Sequence, residues 1–183
     1  SLQDDPPRIL VTPFNNRTGD MLQNTLGIIT AELITDGLTQ IGGVRVVPSD
    51  VTYRLYGEMS RAGAAQVRAT APAQDFSAAA REVKARFVIS GSYYRRGEGL
   101  RIHAAVHDVL QETVVLSLEA FTDDASRPEP GLADLRERLA GGVEKTKVGL
   151  EADQLALAEL EERLAVAHEM AETQEEPSTA ERD

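Results

Sequence analysis

FVISGSYYRRGEGLRIHAAVHDVL, residues 87–110, decides the fold. FVISGSYYRR (87–96) is rich in β-branched and aromatic residues and reads as a strand, with GEG (97–99) as a hairpin turn. The following stretch alternates. Leu100, Ile102, Ala104 and Val106 point one way, and Arg101, His103 and His107 the other. Gln111-Glu112 is the next turn. TVVLSLEAF (113–121) then pairs back, with Val114, Leu116 and Leu118 expected on the apolar face.

Upstream, the rhythm lengthens and shortens in turn. RILVTPF (8–14) is a near-continuous apolar run, which suits a central strand covered on both faces. From Asp20, Leu22, Leu26, Ile29, Leu33 and Leu38 recur at helical spacing and predict one buried stripe, stopped by Gly42-Gly43. VRVVP (44–48) predicts a second strand. Ser49-Asp50 then offers a cap for a helix carrying Val51, Leu55 and Met59. ATAPAQD (69–75) breaks that pattern, and Phe76 to Ala85 reads as a further helix capped by Asp75.

Downstream, DDASRPEPG (123–131) reads as a loop. LADLRERLAGGVEKTKVGL (132–150) is helical, with Leu132, Leu135, Leu139 and Val143 on one side. Gly141-Gly142 weakens it by roughly 1 kcal/mol per glycine relative to alanine and predicts a bend. Residues 151–171 are strongly helical. Leu150, Leu157 and Leu164 are seven apart with Leu160 between, the spacing of a partner-helix seam.

The reading is an α/β fold: a mixed five-stranded sheet, three parallel strands plus an antiparallel meander, with helices packed on it and a C-terminal helical extension. Right-handed crossovers join the parallel strands. The expected divisions are a linker at 1–7, a domain at 8–149, the extension at 150–172 and a disordered acidic tail at 173–183.

Composition narrows the function. The 183 residues are 42% hydrophobic and carry a net charge of −11, which opposes general binding to nucleic acid or to an anionic membrane surface. There is no cysteine, so no disulfide and no thiolate chemistry. No apolar run approaches the ~20 residues needed to span a bilayer. The sequence starts at Ser1 without a signal-like segment, and the expectation is a fragment or processed form, with any membrane link through an upstream anchor.

RILVTPFNNRTGD, the helix ending in ITDGLTQIGGVRVVPSD, and FVISGSYYRRGEGLRIHAAVHDV together resemble the TolB amino-terminal-like module. The matching residues are Pro13, Phe14, Asn16, Thr18, Gly19 and Asp20, then Val44 to Val47, then Gly91 to Arg95 and Leu100-Arg101. In bacteria that module sits beside tetratricopeptide repeats, in membrane serine/threonine kinases, adenylyl cyclases and regulators. The resemblance covers about residues 8–145. It implies an anticodon-binding-domain-like α/β fold, an extracytoplasmic role in protein interaction or signal input, and neither catalytic residue nor cofactor. The chain departs from it after about residue 145, where a Glu/Ala/Leu-rich helix replaces the repeats.

The candidate residues follow. PFNNRTGD (13–20) has one glycine and no Lys-Ser/Thr pair, so it reads as a capped strand-to-helix turn rather than a phosphate loop, with Asp20 as the cap. A ligand or partner edge at the carboxyl ends of the parallel strands would take Asn15, Asn16, Arg17, Thr18, Ser49 and Arg95. His103 and His107 are about 13 Å apart along a strand, too far to share a metal, and are expected as solvated sheet residues. Tyr93 and Tyr94 point to opposite faces and form no common stacking platform. No catalytic or metal-binding residue is assigned. Leu150, Leu157, Leu160 and Leu164 are candidates to pack on the chain's own domain, on a further module or in a homodimer, the last making the chain a structural or dimerisation scaffold.

Overall fold

The computed structural model describes residues 6–63 and 75–174. In chain order it contains β1 (Arg8–Val11), β2 (Asn15–Asn16), a single 3₁₀ turn (Met21–Gln23), α1 (Asn24–Thr39), β3 (Arg45–Val46), α2 (Ser49–Gly63) and α3 (Asp75–Glu82). The meander β4 (Phe87–Arg96), β5 (Gly99–Asp108) and β6 (Thr113–Thr122) follows, and then α4 (Glu129–Gln174). The predicted break at 69–74, the side chain of Met59 and the tail beyond 174 lie outside the described residues.

The sheet is mixed, as the alternating rhythms require. Its order is β3-β1-β4-β5-β6, and β2 also pairs with β4. β1 is parallel to both β3 and β4, while β4, β5 and β6 are antiparallel. The sixth strand is the difference from the expected five. Asn15 and Asn16 resume parallel pairing with β4 opposite Ser92 and Tyr93, after a break at Pro13 and Phe14 that follows the Thr12 N–H bond to the Ile89 carbonyl at 2.9 Å. Two asparagines carry no strand signature, so this pairing is imposed by the neighbouring strand.

Residues alternate between two faces. On one, Leu10 and Val88 join Val47, Leu55, Ala79, Ala80 and Ala85 in a core beneath α2 and α3, with Val51 and Phe76 packed against it. On the other, Ile9, Ile34, Leu38, Ile102, Leu135 and Leu139 are buried between the sheet, α1 and the first turns of α4. Burying each such side chain is worth roughly 1.5–3 kcal/mol.

Two expectations fail locally. The stripe of α1 that meets the sheet is Leu26, Thr30, Ala31, Ile34, Thr35 and Leu38, whereas Leu22 and Ile29 are exposed. The cause is the small side of the helix. At Gly27 a Cβ would run into the carbonyl of Phe14, so the loop lies directly on the helix, and the Phe14 N–H donates to the Gly27 carbonyl at 3.1 Å. Val114 was expected on the core face. A bulge inserts Val115 between Val114, the partner of His107, and Leu116, the partner of Val106, so Val114 turns to the histidine face and is exposed. The helix expected at 132–150 is present, and α4 runs without interruption through Gly141-Gly142, from Glu129 to Gln174.

The chain divides into two compact units, Ser1–Val143 and Glu144–Asp183. The first holds the sheet and its helices. The second is the remaining length of α4, in which residues 151–173 are exposed throughout.

Candidate functional site

The turn that follows β2 is built by its own side chains. Asn16 Nδ2 donates to the Asp20 carbonyl and to Asn24 Oδ1, both at 2.7 Å, and Asn16 Oδ1 accepts from the Thr18 N–H at 2.9 Å and from the Thr18 hydroxyl at 2.5 Å. Thr18 Oγ1 accepts from the Asp20 N–H at 3.1 Å. Asp20 caps the 3₁₀ turn, its carboxylate accepting from the Leu22 N–H at 3.0 Å, as its position before the helix predicts. Gly19, at φ 79°, closes the turn. Asn16 and Thr18 are therefore internal to the turn, with little hydrogen-bonding capacity left to meet a ligand.

The turn is also fixed to the sheet. The Arg17 N–H donates to the Tyr93 carbonyl at 2.8 Å. From the same residue of β4, the fully buried Tyr93 side chain crosses under the turn and donates its hydroxyl to the Gln23 carbonyl at 2.5 Å. Burial raises its phenol pKa. Tyr93 thus ties β4 to the start of α1 from both its main chain and its side chain.

What remains outward is part of the set the sequence nominates, together with residues it does not. Asn15 and Arg17 are exposed on the turn, and Arg95 is exposed two residues beyond Tyr93 on β4. Ser49 opens α2 at the carboxyl end of β3 and makes no hydrogen bond to the turn among the described residues. Beside the turn stand Met21 and Leu22, 81% and 89% exposed, with Ile28 and Ile29 exposed further along α1. Sequence periodicity assigned Leu22 to the core. The signal that marks it as outward is the Asp20 cap, which starts a 3₁₀ turn out of phase with the stripe of α1.

The two histidines are not alike. His103 pairs with Ser117 Oγ at 2.9 Å on the open sheet face. His107 is half-buried against the Phe76 ring, 4.7 Å between centroids, and its Nε2 lies 3.1 Å from Ser90 Oγ. The expectation of a solvated residue therefore fails for His107, because α3 covers that end of the face. Its pKa is lowered, first by burial and then by His103. Among the described residues no group of three or more His, Cys, Asp or Glu is placed to hold a metal ion.

Tyr93 and Tyr94 lie on opposite faces, as alternation demands. On the open face the Arg101 guanidinium lies 5.9 Å from the Tyr94 ring centre and 5.2 Å from that of Phe121, and pairs with Glu119. Arg96 adds a second cation 5.5 Å from Phe121. These arginines cover the aromatic rings instead of presenting them.

The seam residues of α4 divide as well: Leu150 is half-buried, and Leu157, Leu160 and Leu164 are exposed. No helix among the described residues is long and apolar enough to cross a membrane.

No family model matches the chain, and no curated protein matches it. Solved structures do. TolB from Acinetobacter baumannii is similar over 80% of the chain at 16% identity and a TM-score of 0.48, and the chain covers only 29% of that protein. The C-terminal domain of LpoB from Escherichia coli is similar over 65% of the chain and 84% of its own length, at 18% identity and a TM-score of 0.48. Lipoprotein GNA1162 from Neisseria meningitidis is similar over 77% of the chain and 96% of its own length, at 19% identity and a TM-score of 0.48. At identities of 19% or less and TM-scores of 0.48 or less, none of the three assigns the chain to a family.

Proposed function

We propose that the chain is a non-enzymatic protein-interaction module of a bacterial cell envelope, and that it meets its partner at the turn and helix start formed by Asn15, Arg17, Met21 and Leu22. Arg95 borders the same edge. Within the parent protein the module would pass partner binding to an effector, such as the kinase domain of a membrane serine/threonine kinase.

The observation that carries this reading is the pairing of a rigid base with an apolar lip. Asn16, Thr18, Asp20 and Tyr93 hold the turn through at least seven hydrogen bonds within the chain. Immediately beyond it, two large apolar side chains are left almost fully open. A fixed loop presenting apolar groups beside an arginine loses little conformational entropy on docking, and such clusters are typical of protein-binding surfaces.

A photo-crosslinking residue placed at Leu22 tests this. In envelope extracts it traps a protein partner, and Arg17→Glu or Leu22→Asp reduces binding of that partner by about tenfold or more. Leu110→Asp, at the exposed turn between β5 and β6, leaves it unchanged. Equal binding in all three variants removes this edge as the docking surface.

The second reading is a structural or dimerisation role through α4, favoured by the exposure of Leu157, Leu160 and Leu164. Light scattering of the chain with and without residues 150–174 separates the two. A monomer at all concentrations in both forms ends the dimer reading.

A further inference from the structure

The second unit offers a surface that the edge around Leu22 does not use. From Leu150 to Thr173 the helix has two apolar rows. Leu150, Leu157, Leu160 and Leu164 form one, and Leu155, Val166 and Met170 lie on the opposite side. Between the rows on one side are mostly alanines, including Ala152, Ala156, Ala167 and Ala171, so the apolar surface runs more than halfway around the helix. The remaining side carries Glu151, Glu161, Glu162, Glu169 and Glu172, with Gln154, Ala158, Ala165 and His168 among them, while Asp153 interrupts the first row and Glu159 the second, and Arg163 lies among the alanines. Leu155, Leu157, Leu160, Leu164, Val166 and Met170 are all more than half exposed.

Such a helix gains most of its stability by packing its apolar side against something. The charge on its rims decides what. Leu150 to Thr173 contains seven carboxylates and one basic residue, Arg163. The five glutamates of that side include the positions next to each row, Glu161 beside the first and Glu162 beside the second, so both rims of the apolar surface are acidic. Two copies of this helix would bring like-charged rims together, which opposes pairing. An anionic membrane surface is repelled for the same reason. A helix with leucines at matching spacing and lysines or arginines on its flanks meets both the apolar rows and the rims.

We propose that α4 from Leu150 onward is the docking face for a basic amphipathic helix of a partner protein. This rests on the interaction reading above but uses a separate surface, so the two fail independently.

The experiment uses the full chain and two synthetic helical peptides with the same leucine spacing, one flanked by lysines and one by glutamates. Calorimetric titration is expected to show the lysine peptide binding at least about tenfold more tightly than the glutamate peptide, with affinity falling several-fold as salt rises. The paired substitutions Leu157→Glu and Leu164→Glu abolish that binding while circular dichroism shows the helix retained. Leu22→Asp, which tests the other surface, leaves it intact. Equal affinity for the two peptides, no binding of the lysine peptide, or binding that survives the paired substitutions overturns the proposal. So does a stable homodimer of the chain that the paired substitutions dissolve.

Discussion

Leu139 and Leu160 are the same residue type in the same helix, yet one is fully covered and the other is 51% exposed. In the first unit the leucines of α4 at 132, 135 and 139 fill the space above the sheet, with Arg136 reaching to Gly37 of α1. In the second the same spacing faces outward. Periodicity reports that a helix has an apolar side. It does not report whether the cover for that side comes from the same chain. The first stretch is part of a fold, and the second is a surface awaiting one.

Substitutions can break or sharpen this contrast. Leu135→Ala should cost about 3 kcal/mol in urea unfolding, since the site is fully buried and held on all sides. Asp108→Ala should cost about 2 kcal/mol. Its buried carboxylate pairs with Arg86 at 3.2 Å and accepts from the Leu110 N–H at 3.0 Å, and its loss strands all of these. Tyr93→Phe should cost about 1 kcal/mol by removing the bond to Gln23, and should also loosen the turn, visible as faster amide exchange at Arg17 and Leu22.

A smaller effect comes from His107. Its folded pKa lies below the ordinary 6.5, chiefly through burial and secondarily through His103, so the fold favours the neutral ring. The stabilisation is complete above pH 6.5 and is lost as the pH falls from there through the lower folded value. Melting temperature should therefore decline between about pH 7 and pH 5, and His107→Phe should flatten that part of the curve. The least effect is expected from Leu157→Ala, under about 0.5 kcal/mol in the isolated chain. If it cost as much as Leu135→Ala, the contrast between the two stretches of α4 would be lost.

Much of the fold was legible because the two rhythms are unambiguous where they are long. The strands at 87–96 and 100–110, the stripe at 132, 135 and 139, and the cap at Asp20 follow from spacing and local chemistry alone. The misses are places where a neighbour decides. β2 exists because β4 runs beside Asn15 and Asn16. The bulge that turns Val114 outward is a property of pairing with β5, invisible along one strand. Gly142 reads along the sequence only as a weak point of its helix, but a Cβ there would strike the Leu116 side chain, so the glycine lets α4 approach β6 closely. The candidate edge was half legible. Its polar residues could be named, but their mutual hydrogen bonds, and the outward turn of Met21 and Leu22, depend on three-dimensional closure of the loop.

β6 closes one side of the sheet, and its outer rim is open to any extended chain that would add to it. Arg138 Nη1 donates to the Glu119 carbonyl at 2.6 Å, occupying one acceptor on that rim. The other end, around Val114 and Val115, has no charged residue between Glu112 and Glu119, only the kink of the bulge to spoil a neighbour's register. Concentrated or partly melted samples should therefore clump from the Val114 end first, and a lysine at Val114 should keep them clear.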